Sequence, residues 1–326
     1  MNSKLRHQKG ELGCGALLAK DVRGECGMKT VGDDTDFKAV SILEETVAYE
    51  TLVAELNRSI RSVSEQLRDS NLLPSDFLRS SVASLFTEQI LEAVRTQLLD
   101  LSRVFSVALY NDLLYPAQLR VSEMAPSLLY YLGDIELCQQ PLISVVGARK
   151  ATDDGRRLAS EIAKTLASSN FCVTSGLASG IDTSAMQAAI EAGGKVVGVI
   201  GTPLNQSYPK ENIDLQSYVS KEGLLVSQVP FFRYSREHFS TRKYHFPQRN
   251  ELMAGITQAT VIVEASDTSG TLTQARACMK LGRPLFITER CYNSQGVSWP
   301  RKYVEKGAIV VKNAEEILEH LTALSR

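Results

Sequence analysis

From Pro141 onward the chain alternates two kinds of segment, and that alternation limits its fold more than anything else in it. PLISVVG (141–147), NFCVTSG (170–176), KVVGVIG (195–201), GLLVSQ (223–228), TVIVEA (260–265), PLFIT (284–288) and AIVV (308–311) are short, near-continuous aliphatic runs. A strand with one face in water alternates apolar and polar residues, whereas runs apolar in both parities belong to strands covered on both faces. Between them lie amphipathic stretches such as 155–168, 182–192, 248–258 and 271–281. The expected fold class is α/β, a doubly wound, mostly parallel Rossmann-like sheet with helices on both faces. In such sheets ligands sit beyond the carboxyl ends of the strands, where loops lead into helix N-termini.

Ahead of this part the pattern is helical. Residues 1–36 are Gly-rich, carry scattered charges and keep no period, as a poorly ordered leader does. Between residues 37 and 69, Tyr49, Val53, Leu56, Ile60, Val63 and Leu67 recur at steps of four and three, which predicts one long amphipathic helix. Residues 71–74 interrupt it, Ser75 is placed to cap a second helix, and Leu78, Val82, Leu85, Leu91, Val94, Leu98 and Leu101 carry a stripe onward. Residues 37–105 are therefore expected to form an all-helical hairpin or bundle domain before the α/β domain of 106–326. Its stripe reads as an intramolecular core, with a dimer seam or a docking face as the alternative.

Charge and cysteine usage narrow the function. A net charge of −1 and a pI near 6.5 exclude a globally basic binder, so any nucleic-acid surface must be local. The segment 230–250 supplies one: five Arg or Lys, two of the four His and six aromatics stand against a single acid, Glu237. Cations neutralise phosphates and aromatic faces stack on unpaired bases of any identity, a mixture that suits single-stranded nucleic acid. Bracketed by Pro230 and Pro247 and lacking a period, the segment reads as a functional loop. The six cysteines show no C-x-x-C pair or zinc spacing, so reduced thiols are expected, with no metal and no cofactor. No run approaches the roughly 18 apolar residues of a membrane span. A soluble, cytoplasmic protein is the expectation.

Three loops stand at predicted strand ends: Gly147-Ala148-Arg149-Lys150, Ser175-Gly176-Leu177-Ala178-Ser179-Gly180, and Asp267-Thr268-Ser269-Gly270-Thr271. Glycines before a helix let backbone N–H groups approach an anion, and three such loops on one sheet edge make a track for phosphates. Neither a G-x-G-x-x-G fingerprint nor a G-x-x-x-x-G-K-[ST] loop occurs, and no His stands near an obvious Ser/Asp pair. Dinucleotide enzymes, P-loop ATPases and serine hydrolases are thereby disfavoured. Glu264 could act as a general base, against capping neighbouring amides or pairing with Arg249.

Along the chain stand Tyr115-Pro116 with Leu119, APSLLYYLG (125–133), Val145-Val146-Gly147-Ala148-Arg149, SGLASGID (175–182), Gly193-Gly194-Lys195, Tyr208-Pro209-Lys210-Glu211-Asn212, Phe246-Pro247-Gln248-Arg249-Asn250 and EASDTSGTLTQA (264–275). In this order these landmarks resemble the DprA/Smf family of DNA-processing proteins. The resemblance covers about residues 110–312. It implies single-stranded DNA binding, a homodimer, loading of a RecA-type recombinase in DNA uptake or recombination, and no catalytic turnover. By position it implies that Arg149 and Lys243 contact phosphates and that Phe246 lines a base pocket. With the loop residues, the candidate DNA-binding set is Arg149, Lys150, Gly176, Lys243, Phe246, Arg249, Asn250, Ser269, Gly270 and Thr271.

Two departures stand out: Ser179 where the family has Arg, and Met186 where it has His, which takes a cation and an imidazole from the expected site. The alternative function is a nucleotide-derived small-molecule sensor or a phosphoribohydrolase-like member of the same superfamily. The helix after Thr271 reads Leu272-Thr273-Gln274-Ala275 without an acid, which weighs against hydrolysis.

Overall fold

All seven aliphatic runs are strands. A computed structural model describes residues 41–55, 59–81, 85–101 and 105–324, so the expected leader at 1–36 lies outside the described residues. The runs form β3 (Leu142–Val146), β4 (Cys172–Ser175), β5 (Val196–Ile200), β6 (Leu224–Ser227), β7 (Ala259–Ile262), β8 (Leu285–Thr288) and β9 (Ile309–Val311). Two strands precede them, β1 (Ser106–Leu109) and β2 (Leu128–Gly133). The single nine-stranded sheet runs β1-β2-β6-β5-β4-β3-β7-β8-β9, parallel from β6 to β9, with β2 antiparallel to both β6 and β1. The chain starts its parallel part at β3, winds outward through β4, β5 and β6, and then returns to the other side of β3 for β7, β8 and β9. The order therefore reverses between β3 and β7, which pair from Ile143↔Ala259 to Val146↔Ile262.

The helices of the described residues are α1 (Ile42–Glu55), α2 (Ile60–Ser70), α3 (Pro74–Ser81), α4 (Leu85–Leu101), α5 (Ala117–Arg120), α6 (Asp153–Ser168), α7 (Ile181–Glu191) and α8 (Ile213–Glu222). They continue with α9 (Phe231–Arg236), α10 (Phe239–Arg242), α11 (His245–Ile256), α12 (Thr271–Lys280), α13 (Glu289–Tyr292), α14 (Trp299–Val304) and α15 (Ala314–Leu324). Strand alternation splits the core in two. Ile143, Val145, Val173, Val261 and Phe286 face one cluster with α6, α7 and α15, while Leu142, Val146, Val197, Ile262 and Leu285 face the other with α11 and α12. Both faces are apolar because both are covered.

The helical region joins the first of these clusters. Tyr49, Val53, Ile60, Val63 and Leu67 from the predicted stripe are buried with Val94 and Leu98, in one cluster with Leu128 and Tyr130 of β2. The stripe is intramolecular core. The one long helix expected over 37–69 is instead two, because Ser59 adopts an extended N-cap conformation and its Oγ accepts the Ser62 amide at 3.1 Å. Asn71, with φ of 53°, ends α2 in the left-handed region. Ser75 is not a cap: it lies within the first turn of α3 behind Pro74, donating its N–H and Oγ–H to Glu45 of α1 at 2.9 and 2.7 Å. A carboxylate from another helix does the capping, which no local pattern reveals.

The segment 230–250, expected as a loop, is also helical: α9, α10 and the start of α11. Pro247 falls in the first turn of α11, where no intrahelical N–H is needed. Glu50 of α1 accepts the Phe231 and Phe232 amides at 2.9 and 2.7 Å, and so caps α9 from 181 residues away. Only the tertiary fold provides that acceptor.

Candidate nucleic-acid interface

The sheet reverses order between β3 and β7, and a cleft of about 550 Å³ opens at the carboxyl ends of those strands. This is where an α/β sheet leaves space, because the connections after the two strands go to opposite faces. Eight of the ten candidate residues line the cleft: Arg149, Lys150, Phe246, Arg249, Asn250, Ser269, Gly270 and Thr271. Gly176 and Lys243 do not. Lys243 is exposed at the end of α10 with its Nζ 5.5 Å from the Tyr244 ring, and Gly176 lies behind Arg249, as described below.

Three loops are fastened to one another beneath the cleft. Asp182, in the first turn of α7, accepts the Gly147 amide at 3.3 Å and the Gly176 amide at 3.1 Å, joining the loops after β3 and β4. The Ala148 amide donates to the Glu264 carbonyl at 2.6 Å, and Thr271 Oγ1 donates to the Gly147 carbonyl at 3.3 Å, which adds the connection after β7. Gly180, at φ of +83°, has no room for a Cβ because the Ala148 and Arg149 carbonyls press on it. The spacing of SGLASGID thus serves to bring Asp182 under two loops at once. Burial raises the Asp182 carboxyl above its usual range, with Arg249 and the three amides it accepts pulling the other way.

Arg249 is the central tie. Only 5% exposed, it donates from Nη1 to the Gly176 and Val199 carbonyls at 2.5 and 2.8 Å and from Nε to Asn250 Oδ1 at 2.8 Å. Asn250 in turn donates from Nδ2 to the Gly270 carbonyl at 2.9 Å. A Cβ on Gly176 would strike the guanidinium, so the glycine is there to make room for Arg249. Burial lowers the Arg249 pKa to about 10, opposed by Asp182 and reinforced by the charge of Arg149, which still leaves it cationic at neutral pH. It does not pair with Glu264. That carboxylate accepts from Thr152 Oγ1 at 2.7 Å and from the Thr152 amide at 3.3 Å, so it holds in place the residue whose own side chain caps α6.

The exposed cations stand on this frame. Arg149 and Lys150 lie at the surface, with the Arg149 guanidinium carbon 5.4 Å from the Phe246 ring centre and 5.9 Å from that of Tyr208. The first turns of α7 and α12 reach the cleft lining at Asp182 and Thr271, while α6 starts beyond it with Asp153 and Asp154 in its first turn. Two departures noted in the sequence act differently from expectation. Met186 is fully buried in the core, so its position does not face the cleft, and Ser179 lies outside the lining. Sequence reasoning passed over the parts that Tyr208 and Asp182 play here. The signals available were an Asp in the first turn after Gly180 and the Tyr208-Pro209 landmark.

Comparison with known proteins gives the family. The family model of DNA recombination-mediator protein A matches residues 106–322, two thirds of the chain. The chain belongs to the DNA recombination-mediator protein A family. Among similar DNA recombination-mediator A relatives, DNA processing protein DprA of Streptococcus pneumoniae is 33% identical over 204 residues, which are 63% of this chain and 70% of that protein. DNA processing protein DprA of Bacillus subtilis is 30% identical over 208 residues, 64% of this chain and 68% of that one. The solved structure of the S. pneumoniae protein superposes with a TM-score of 0.63 at 26% identity, covering 85% of this chain and 95% of that one. DNA processing protein A of Helicobacter pylori, whose structure concerns its mode of binding single-stranded DNA, shares the fold with a TM-score of 0.57 at 23% identity, covering 68% and 97%.

Proposed function

We propose that the protein is a DNA-processing protein that binds single-stranded DNA across the β3/β7 cleft, in DNA uptake for transformation or in recombination. The observation that carries this reading is the pairing of exposed Arg149 and Lys150 with Phe246 at a cleft lined by the first turns of α7 and α12. Cations and amide dipoles serve phosphates; the aromatic ring serves an unpaired base. In this reading Arg149, Lys150, Ser269, Gly270 and Thr271 meet the strand, with Lys243 as an outlying phosphate contact and Phe246 as the base contact. Arg249, Asn250 and Gly176 hold the floor in place.

The reading includes no turnover, since Glu264 is committed to Thr152 and Asp182 to backbone amides. It also includes a homodimer that loads a RecA-type recombinase, for which the family resemblance is the support. The test is binding of oligo-dT, duplex of the same length and free nucleotides over a range of salt. Preference for oligo-dT with a steep salt dependence is expected. Equal affinity for duplex would reduce the site to a basic patch, and tight binding of a mononucleotide without DNA binding would replace the reading with a small-molecule sensor.

A further inference from the structure

Tyr208 lies just outside the cleft lining, 46% exposed, in the loop that follows β5. Its ring centre is 5.3 Å from that of Phe246, with the planes inclined at 48°. Phe246 is backed on another side by Gly201, where an added Cβ would fall 2.8 Å from Phe246 Cδ1. The Arg149 guanidinium sits by both rings, and among the described residues no carboxylate lies within ion-pair distance of it. An exposed cation thus rests on the exposed Tyr208 ring and the half-buried Phe246 ring, with no carboxylate among the described residues to hold it there.

A base cannot enter between the two rings, because that needs a gap of about 7 Å, two contact distances of 3.5 Å. It can take the place beside them. We propose that Tyr208 and Phe246 together form one base-stacking position, which Arg149 fills in the absence of DNA and vacates when a strand binds. Arg149 then moves to the phosphate next to the stacked base. The exchange is favourable on both sides: a solvent-exposed cation–π contact is weak, a guanidinium–phosphate fork is strong, and a flat base covers more of the rings than a guanidinium does. The same movement makes the site discriminate between strands, since a base held in a duplex cannot reach the rings without unpairing. This inference deepens the single-stranded DNA reading and rests on it.

The experiment measures affinity of the full chain for oligo-dT and for an abasic oligonucleotide of the same length, in wild type, Tyr208→Ala, Tyr208→Leu and Tyr208→Phe. Leu keeps apolar bulk against Phe246 without a flat face, so it separates stacking from packing. Tyr208→Leu and Tyr208→Ala are expected to bind oligo-dT about tenfold more weakly while keeping wild-type affinity for the abasic strand, and Tyr208→Phe to stay near wild type on both. Equal losses on the two strands would make Tyr208 a structural residue, and no loss on either would remove it from the site. If wild type binds the abasic strand as tightly as oligo-dT, the stacking position is wrong although the phosphate track stands. Should wild type bind neither strand, the function proposed above fails as well.

Discussion

At the scale of single residues the cleft separates charges by burial, and burial decides their work. Arg249 and Arg149 are the same residue type at one site, yet Arg249 is spent on carbonyls of two strand ends while Arg149 is exposed beside the Phe246 and Tyr208 rings. Arg249→Ala is expected to cost about 2–4 kcal/mol of stability, because two buried carbonyls and the Asp182 carboxylate lose their donor or counter-charge together. Thermal melting checks this, and an unchanged melting temperature would mean that Arg249 is free for a ligand. Arg149→Ala and Lys150→Ala are expected to leave melting unchanged and to lower the slope of log affinity against log salt for oligo-dT by about 0.7 for each phosphate contact removed. Gly180→Ala combines a left-handed backbone with a clash against the Ala148 and Arg149 carbonyls. A loss of about 1–3 kcal/mol is expected, with oligo-dT affinity falling as well, because the loop that carries Arg149 must shift.

At the scale of elements the notable contact is between α1 and α9. Glu50 is fully buried, accepts from Tyr130 Oη at 2.8 Å and from the two α9 amides, and is pushed by burial to a pKa of about 7, with those hydrogen bonds opposing the rise. Because the folded-state value lies above the ordinary 4.5, the carboxyl's stabilising contribution is complete below about pH 4.5 and is lost as pH rises through 7. On the order of 3 kcal/mol is at stake across that window. Glu50→Gln removes the titration, so its melting temperature is expected to gain on wild type by a few degrees between pH 5 and pH 8. A difference independent of pH would show that Glu50 does not titrate there. This contact also explains why 230–250 reads as a loop and folds as helices. Phe231, Phe232 and Tyr234 are buried, but the acceptor for the first amides of α9 comes from α1.

At the scale of the whole molecule the helical region and the sheet share one core, from Tyr49 and Val53 to Leu128 and Tyr130. A single cooperative transition is therefore expected on heating, with far-ultraviolet circular dichroism and the fluorescence of the buried Trp299 giving coincident midpoints. Two separated transitions would show that the helices unfold independently. The sequence alone determined the parallel sheet, its seven strands and most of the cleft, because double-sided burial and Gly-rich strand ends are written in contiguous residues such as LISVVG and DTSGT. Met186 shows the limit of that reading: a position taken for the site from its place in a motif is core, since α7 turns it inward. The tertiary structure alone decided which cation is buried and which is exposed, where Glu45 and Glu50 find the amides they cap, and that Tyr208 meets Phe246. Those outcomes depend on groups 30 to 182 residues apart being brought within hydrogen-bond or ring-contact distance, and local periodicity carries no information about pairs so far apart.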